Sequence, residues 1–417
     1  MMRIFSLALR NLFRNIRRTI LTVSAISVGL AMMLWVVNFQ NGSYTAMIKT
    51  AVSTMAGHVV IQDKEYQEEK ETKLVVDDVS GIKAMLHEEF PDAVIAPRIF
   101  LGGLLVSSSN SVGAAITGFE PEAEAKVQDL AEKIDAGKWL DDDIKGILIG
   151  IDMAESLEVG IGDKLVYMGQ NYAGENDDDD VQSRLFRVKG IFKTGTAQFD
   201  GFLAFTHLKA TQELLGGRDV ANMVTIHFPN PNDAEAAVPT IASKLAQPDA
   251  VVLHWRDALA EIYGMIEIDR SSGDVMLSII GLIVAFGVLN TMLMSVLERT
   301  REFGVMLSLG MKPRKIAQLV LMEGVLLGFI GAMGGLVLGL LISWHAVTYG
   351  IDFSSMMGGA ETMESGGIAI DTLMVGKWDP RRMSFYFIGA ILFCGMASIY
   401  PAWSISRLQP VQALRHH

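Results

Sequence analysis

Bond-making chemistry needs particular side chains at particular spacings, and this sequence lacks each class in turn. Its single cysteine, Cys394, sits in an apolar run, so there is no CxxC metal or redox motif and no intramolecular disulfide. The 8 histidines are scattered, with no HExxH or H-x3-H pair to hold zinc, and His416 and His417 read as the stub of a tag. No GxSxG nucleophile elbow occurs. Neither Gly137-Lys138 nor Gly376-Lys377 has the upstream glycine and following Ser/Thr of a phosphate-cradling loop. "GENDDDD" (174–180) is acidic but lacks the alternating D-x-D-x-D-G of a calcium loop, and reads as a solvated hairpin tip. The expectation is a non-catalytic chain that binds no cofactor directly.

One charged window remains, "LERTREFGVMLSLGMKPRKI" (297–316), between two long apolar runs. On a helix Glu298, Arg301 and Glu302 share a face, while Phe303, Met306 and Leu307 form an apolar stripe. Gly310 is placed to end that helix and Pro313 to start the next. A short amphipathic helix of this kind can insert its apolar stripe into a cleft on a partner while its charges set register. A basic loop that merely fixes topology is the other reading of the charges alone.

The elements that would position this window are membrane spans. Four apolar stretches are long enough to cross about 30 Å of hydrocarbon as helices: 19–40, 274–297, 316–344 and 383–405. The first is too long for the core of a cleaved leader and is read as a retained anchor. Arginine and lysine crowd residues 1–18 (Arg3, Arg10, Arg14, Arg17, Arg18), the 298–315 link (Arg299, Arg301, Lys312, Arg314, Lys315) and the 406–417 tail (Arg407, Arg415). That bias places these three segments in the cytoplasm, and 41–273 and 345–382 outside. Residues 3–18 form an amphipathic pattern, with Phe5, Ala8, Leu9, Leu12, Phe13 and Ile16 on one arc and arginines opposite. This suits a helix lying in the interface against anionic lipid. In the third span Gly324/Gly328 and Gly331/Gly335/Gly339 recur every fourth residue, which lets another helix approach closely. Packing within the chain and packing against a second subunit both fit that spacing. Glu323 needs a partner or the interface, and no second ionisable residue in the spans suggests a proton relay.

The net charge of −12 in so apolar a chain implies segregation, with lipid-facing blocks and an acidic aqueous domain. Within 41–273, strand patterns occur at 57–62, 146–151, 164–169, 185–192 and 223–228. Helix patterns occur at 122–134, 207–215 and 232–245, giving a mixed α+β domain of two subdomains. The 345–382 link, rich in Gly, Ser and Met, reads as a mobile loop open to cargo or a partner. The fold class is therefore an integral membrane protein, four transmembrane α-helices plus a large α+β domain between the first and second.

"ERTREFGVMLSLGMKPRKIAQLVLMEGVLLGFIGAMGG" resembles the loop and third helix of the FtsX/MacB/Lol permeases of ABC transporters, and the tail "YPAWSISRLQPVQALRH" is similar to their closing segment. "GILIGIDMAESLEVGIGDKLVYMGQ" and "VKGIFKTGTAQFDGFLAFTHLKATQELL" look closest to the lipoprotein-releasing LolC/LolE branch. The resemblance implies a MacB-like outer domain and a permease paired with a second permease subunit, as homodimer or heterodimer. It also implies two copies of a separate ATPase that carries ATP and Mg. Lipoprotein cargo and a periplasmic LolA-like carrier would be further partners, and nucleic acid would not. It makes Glu298, Arg299, Arg301, Glu302, Phe303, Met306, Leu307 and Lys312 the candidate ATPase-coupling residues. A MacB-type exporter of peptides or small molecules and an FtsX-like signalling protein controlling a cell-wall enzyme are the alternatives.

Overall fold

The computed structural model describes residues 2–172, 181–357, 362–365 and 368–406; the acidic tip at 174–180 and the tail beyond 406 lie outside them. The chain divides into a helical unit (Met1–Thr45, Ile266–Asp352, Leu373–His417) and an inserted unit (Ala46–Met265, Phe353–Thr372).

The helical elements are α1 (Met2–Arg14), α2 (Ile16–Ala51), α3 (Ala260–Glu298), α4 (Thr300–Ser308), α5 (Pro313–Thr348), α6 (Pro380–Ala397) and α7 (Ile399–Ser406). Among the described residues four helical segments are long and apolar enough to cross a membrane: Ile16–Ala56, Ala260–Glu298, Pro313–Thr348 and Pro380–Ile405. Each exceeds the window that hydropathy marks. Apolar content sets only a minimum length, and a helix continues through polar residues until a breaker stops it. The break between α6 and α7 follows from Pro401, which cannot donate to the carbonyl of residue 397 and crowds it. Ser398 sits at that break, buried, with its hydroxyl donating to the Cys394 carbonyl at 2.9 Å.

The glycine stripes of α5 are used inside the chain. A Cβ at Gly324 would lie 1.7 Å from Ser398 Oγ, and one at Gly328 would lie 2.7 Å from Cys394 Cβ, so this pair faces α6 and its break. At Gly331, Gly335 and Gly339 the nearest atoms, at 2.7–3.0 Å, belong to Ile26, Leu30 and Leu34 of α2. Two successive glycine runs thus admit two different helices. By contrast, α3 leaves Val275, Ile279, Leu282, Ile283 and Phe286 exposed along one side.

In the inserted unit ten strands form one sheet: β1 (Val59–Asp63), β2 (Val94–Val106), β3 (Ser111–Phe119), β4 (Ile134–Gly137), β5 (Gly146–Gly150), β6 (Lys164–Gln170), β7 (Val181–Phe192), β8 (Leu203–His207), β9 (Met223–His227) and β10 (Ala250–His254). Their order is β10-β1-β9-β2-β3-β8-β5-β7-β4, with β6 bridging β2 and β7. Strands β2, β3, β8, β5, β7 and β6 therefore close a ring, while β9, β1 and β10 extend from the first half of β2. Along the edge of β2 opposite β3, the register runs Met223↔Arg98 toward its first half and Leu104↔Met168 toward its end. The 13-residue β2 belongs to both parts, so the two expected subdomains share one strand.

Two expectations change here. Residues 122–134 do not make one helix; an α-helix at Pro121–Val127 is followed by a 3-10 turn, Asp129–Lys133, and then β4. The apolar spacing is helical, but Ile134–Gly137 is captured by pairing with β7. The 345–382 link is also structured where described. Ile351–Asp352 pairs with Leu373–Met374, and Thr362–Ser365 pairs with Ile368–Asp371. Thr362, itself part of the inserted unit, is buried, its hydroxyl donating to the Thr194 carbonyl at 2.8 Å and lying 2.9 Å from Thr196 Oγ1. Backbone pairing, invisible to composition, orders it.

Candidate functional site: the helix joining the second and third spans

Helix α4 begins one residue after α3 ends. Arg299 is that residue, with φ −106° and ψ 12°. The Thr300 hydroxyl lies within hydrogen-bond distance of the Leu297 (2.9 Å) and Val296 (3.2 Å) carbonyls that α3 leaves open. At the other end Gly310 takes φ +88°, the left-handed conformation that glycine adopts without a Cβ penalty. The Gly310 N–H donates to Leu307 O and the Met311 N–H to Met306 O, both at 3.0 Å, which makes a Schellman cap. Pro313 then opens α5, where its missing N–H costs nothing.

The residues expected to meet a partner divide between two sides. Phe303 is 1% exposed, in a core with Ile316, Leu319 and Val320 of α5, and Met306 and Leu307 pack partly buried on it. This apolar stripe thus faces the chain's own core, because a helix tethered at both ends covers its neighbours first. Arg301, Glu302, Val305 and Leu309 are exposed, Leu309 at 81%, as are Lys312, Arg314 and Lys315 in the following turn. The outward surface is a small apolar pair ringed by cations.

Arg299 is also turned inward. It is 6% exposed, and Nη1 donates to both carboxylate oxygens of Glu323, at 3.0 and 3.2 Å. Glu323 is 4% exposed and accepts a further bond from Asn11 Nδ2 of α1 at 2.6 Å. Arg299 Nε reaches Glu302 at 3.2 Å, and its guanidinium stands 5.1 Å above the Phe303 ring. Burial raises the Glu302 carboxyl, but hydrogen bonds from Arg14 and Arg299 outweigh it and hold that group below the usual range. Arg14 meets Glu302 at 2.8 Å and Arg18 meets Glu298 at 2.7 Å, both partly solvated. Such pairs contribute about 0–1 kcal/mol each, so they orient α1 more than they stabilise it. Sequence reasoning read Arg14 as a topology signal and a lipid-facing cation and Arg18 as a topology signal, and missed Asn11. The available signal was Glu323, a carboxylate in a span that required a partner.

A second buried pair was not foreseen. Arg98 of β2 (1% exposed) meets Glu124 (0%) at 2.6 Å. It also donates to the Thr54 and Ser53 carbonyls, at 2.6 and 3.0 Å, just beyond the end of α2. It therefore satisfies acceptors that a helix C-terminus leaves open. Among the described residues no group of His, Cys, Asp and Glu is placed to hold a metal.

Family models match in two blocks, the first taking in the first span with most of the inserted unit and the second lying mainly in the helical unit. The MacB-like periplasmic core domain matches residues 19–244, and the FtsX-like permease C-terminal domain matches 275–410, the region containing α4 and both of its anchors. The chain belongs to the MacB/FtsX family of ABC transporter permeases. The permease is 26% identical over 409 residues to the lipoprotein-releasing system transmembrane protein LolC of Neisseria meningitidis serogroup B, covering 95% of this chain and 94% of that one. It is 21% identical over 325 residues to the lipoprotein-releasing system transmembrane protein LolE of Haemophilus influenzae, covering 78% and 77%. The periplasmic region of MacB from Actinobacillus actinomycetemcomitans aligns at 14% identity and TM-score 0.37, over 53% of the permease and 98% of that chain. Membership implies an ATPase partner and a paired permease subunit, and it makes the inserted α+β unit periplasmic.

Proposed function

We propose that this permease releases lipid-anchored proteins from the bacterial inner membrane toward a soluble periplasmic acceptor, driven by a separate cytoplasmic ATPase. The observation that carries this reading is the end-to-end similarity to a lipoprotein-releasing permease, spanning the spans and the periplasmic unit alike. The chain carries no phosphate-binding loop of its own, so it is the non-catalytic subunit, and ATP and Mg reside on the partner. The arginine-rich N-terminus and the 298–315 link lie in the cytoplasm, and α4 is the docking element.

In this mechanism closure of the ATPase dimer displaces α4 through its outward surface of Arg301, Val305 and Leu309. The inward residues Phe303, Met306 and Leu307 pass that displacement to α5. Helices α2 and α3 are the covalent connections to the periplasmic unit, whose motion releases cargo. This is a shift between two states of packed elements, and its size is set by how differently the ATPase binds each state. The test is reconstitution of the permease and its neighbouring ATPase in proteoliposomes with a triacylated protein. ATP-dependent appearance of that protein on a soluble lipoprotein carrier is the expected result. Retention of the lipoprotein, with co-purification of a cell-wall hydrolase, would replace this reading with the signalling one.

A further inference from the structure

The joint between α3 and α4 is a single residue, so two backbone dihedrals at Arg299 set the direction of α4. The Thr300 hydroxyl closes the end of α3 but does not fix where α4 points. The Arg299 side chain supplies that constraint. It holds Glu323 of α5 with two bonds and Glu302 of α4 with one, and it stacks on Phe303. Asn11 of α1 closes the far side of Glu323. One guanidinium therefore ties the joint to α4 and α5 directly, and to α1 through Glu323.

A buried ion pair is a poor source of net stability, because desolvation offsets most of the attraction. Its geometric effect is stronger. In an apolar interior one guanidinium nitrogen seated between both carboxylate oxygens is either in contact or not, and intermediate angles leave charges unpaired. The neighbouring pairs Arg14–Glu302 and Arg18–Glu298 are partly solvated and can exchange with water. Arg299–Glu323 cannot.

We propose that Arg299 and Glu323 are a positioning pair that locks the α3–α4 joint at one angle, so that a push on α4 reaches α3 and α5 as one body. The mechanical consequence rests on the ATPase-docking reading above; the lock itself does not, and it is tested on the permease alone.

Spin labels at Val305→Cys and Leu341→Cys, both exposed positions, in a Cys394→Ala background report the α4–α5 distance in nanodiscs. The parent should give one narrow distance. Arg299→Met/Glu323→Leu replaces the pair with apolar groups and strands no charge, so the fold is retained while the narrow distance is lost to a broad or split distribution. Arg299→Lys, which keeps the charge but loses the Nε contact to Glu302 and the planar group over Phe303, should fall between the two. If the apolar double variant is not monodisperse, Arg299→Gln/Glu323→Gln takes its place with the same expectation. A narrow, parent-like distance in a folded double variant overturns the proposal. That result would leave the transport reading untouched, since neither ATPase nor cargo enters the measurement.

Discussion

Truncating Phe303 and Leu309 in parallel separates what holds α4 in place from what α4 offers a partner. The two side chains lie at opposite extremes of exposure, 1% and 81%. Phe303→Ala removes a packed ring and leaves a cavity among Ile316, Leu319 and Val320. Such truncations cost about 3–5 kcal/mol, and here the ring beneath the Arg299 guanidinium is lost as well. Leu309→Ala removes atoms that touch little in the free chain, so stability should change by less than about 0.5 kcal/mol. If Leu309 docks into an ATPase cleft, burying it contributes about 1.5–3 kcal/mol, and its loss weakens association roughly tenfold or more. The assays are thermal unfolding of the full-length permease in detergent and equilibrium binding of the co-expressed ATPase. The expected pattern is a large drop in melting temperature for Phe303→Ala only. Leu309→Ala should lower affinity at an unchanged melting temperature. Equal binding by Leu309→Ala and the parent would refute the outward-face assignment. An unchanged melting temperature in Phe303→Ala would refute the inward packing of the stripe.

Two span glycines give a matched pair: Gly335→Ala in the α5 stripe puts a Cβ 2.8 Å from Leu30 Cβ and 2.9 Å from Ser27 O, whereas Gly389→Ala in α6 meets nothing within 4 Å. Steric trapping or thermal unfolding should show a loss of about 1–3 kcal/mol for the first, and for the second no loss, or a gain of up to about 1 kcal/mol from helix propensity. In the periplasmic unit, burial pushes the His227 imidazole down to about 3, helped by Arg98 and His58 nearby. The unfolded chain protonates near pH 6.5 and the folded one does not, so stability is complete above that pH and falls as pH drops toward 3. By linkage the loss is about 2 kcal/mol at pH 5, and His227→Gln should flatten that part of the melting-temperature profile of the full-length protein.

Much of the architecture is carried by local pattern. Runs of apolar residues long enough to cross hydrocarbon mark the four membrane helices, because unpaired backbone in lipid is too costly for any other local structure. Gly310 and Pro313 mark the end of α4 and the start of α5, because glycine's freedom at positive φ and proline's fixed φ both act within one turn. The family resemblance followed from such local runs and from the charged loop itself. Glu323 likewise announced that it needed a partner, since a carboxylate within a span cannot stand alone.

Which partner each group found was decided only by the tertiary structure. Phe303 and Arg301 are both plausible docking residues on a helical wheel; the wheel has no inside until α5 and α1 pack against it. Arg14 and Arg98 are ordinary cations in the sequence, yet one orients α1 against α4 and the other, paired with the buried Glu124, donates directly to the Ser53 and Thr54 carbonyls just beyond α2. The two glycine runs of α5 look like one interface and serve two, because α2 and α6 approach it at different heights. Spacing along a chain sets which face a residue occupies. The neighbour on that face comes from contacts hundreds of residues apart, such as Asn11 to Glu323, and no local period encodes them.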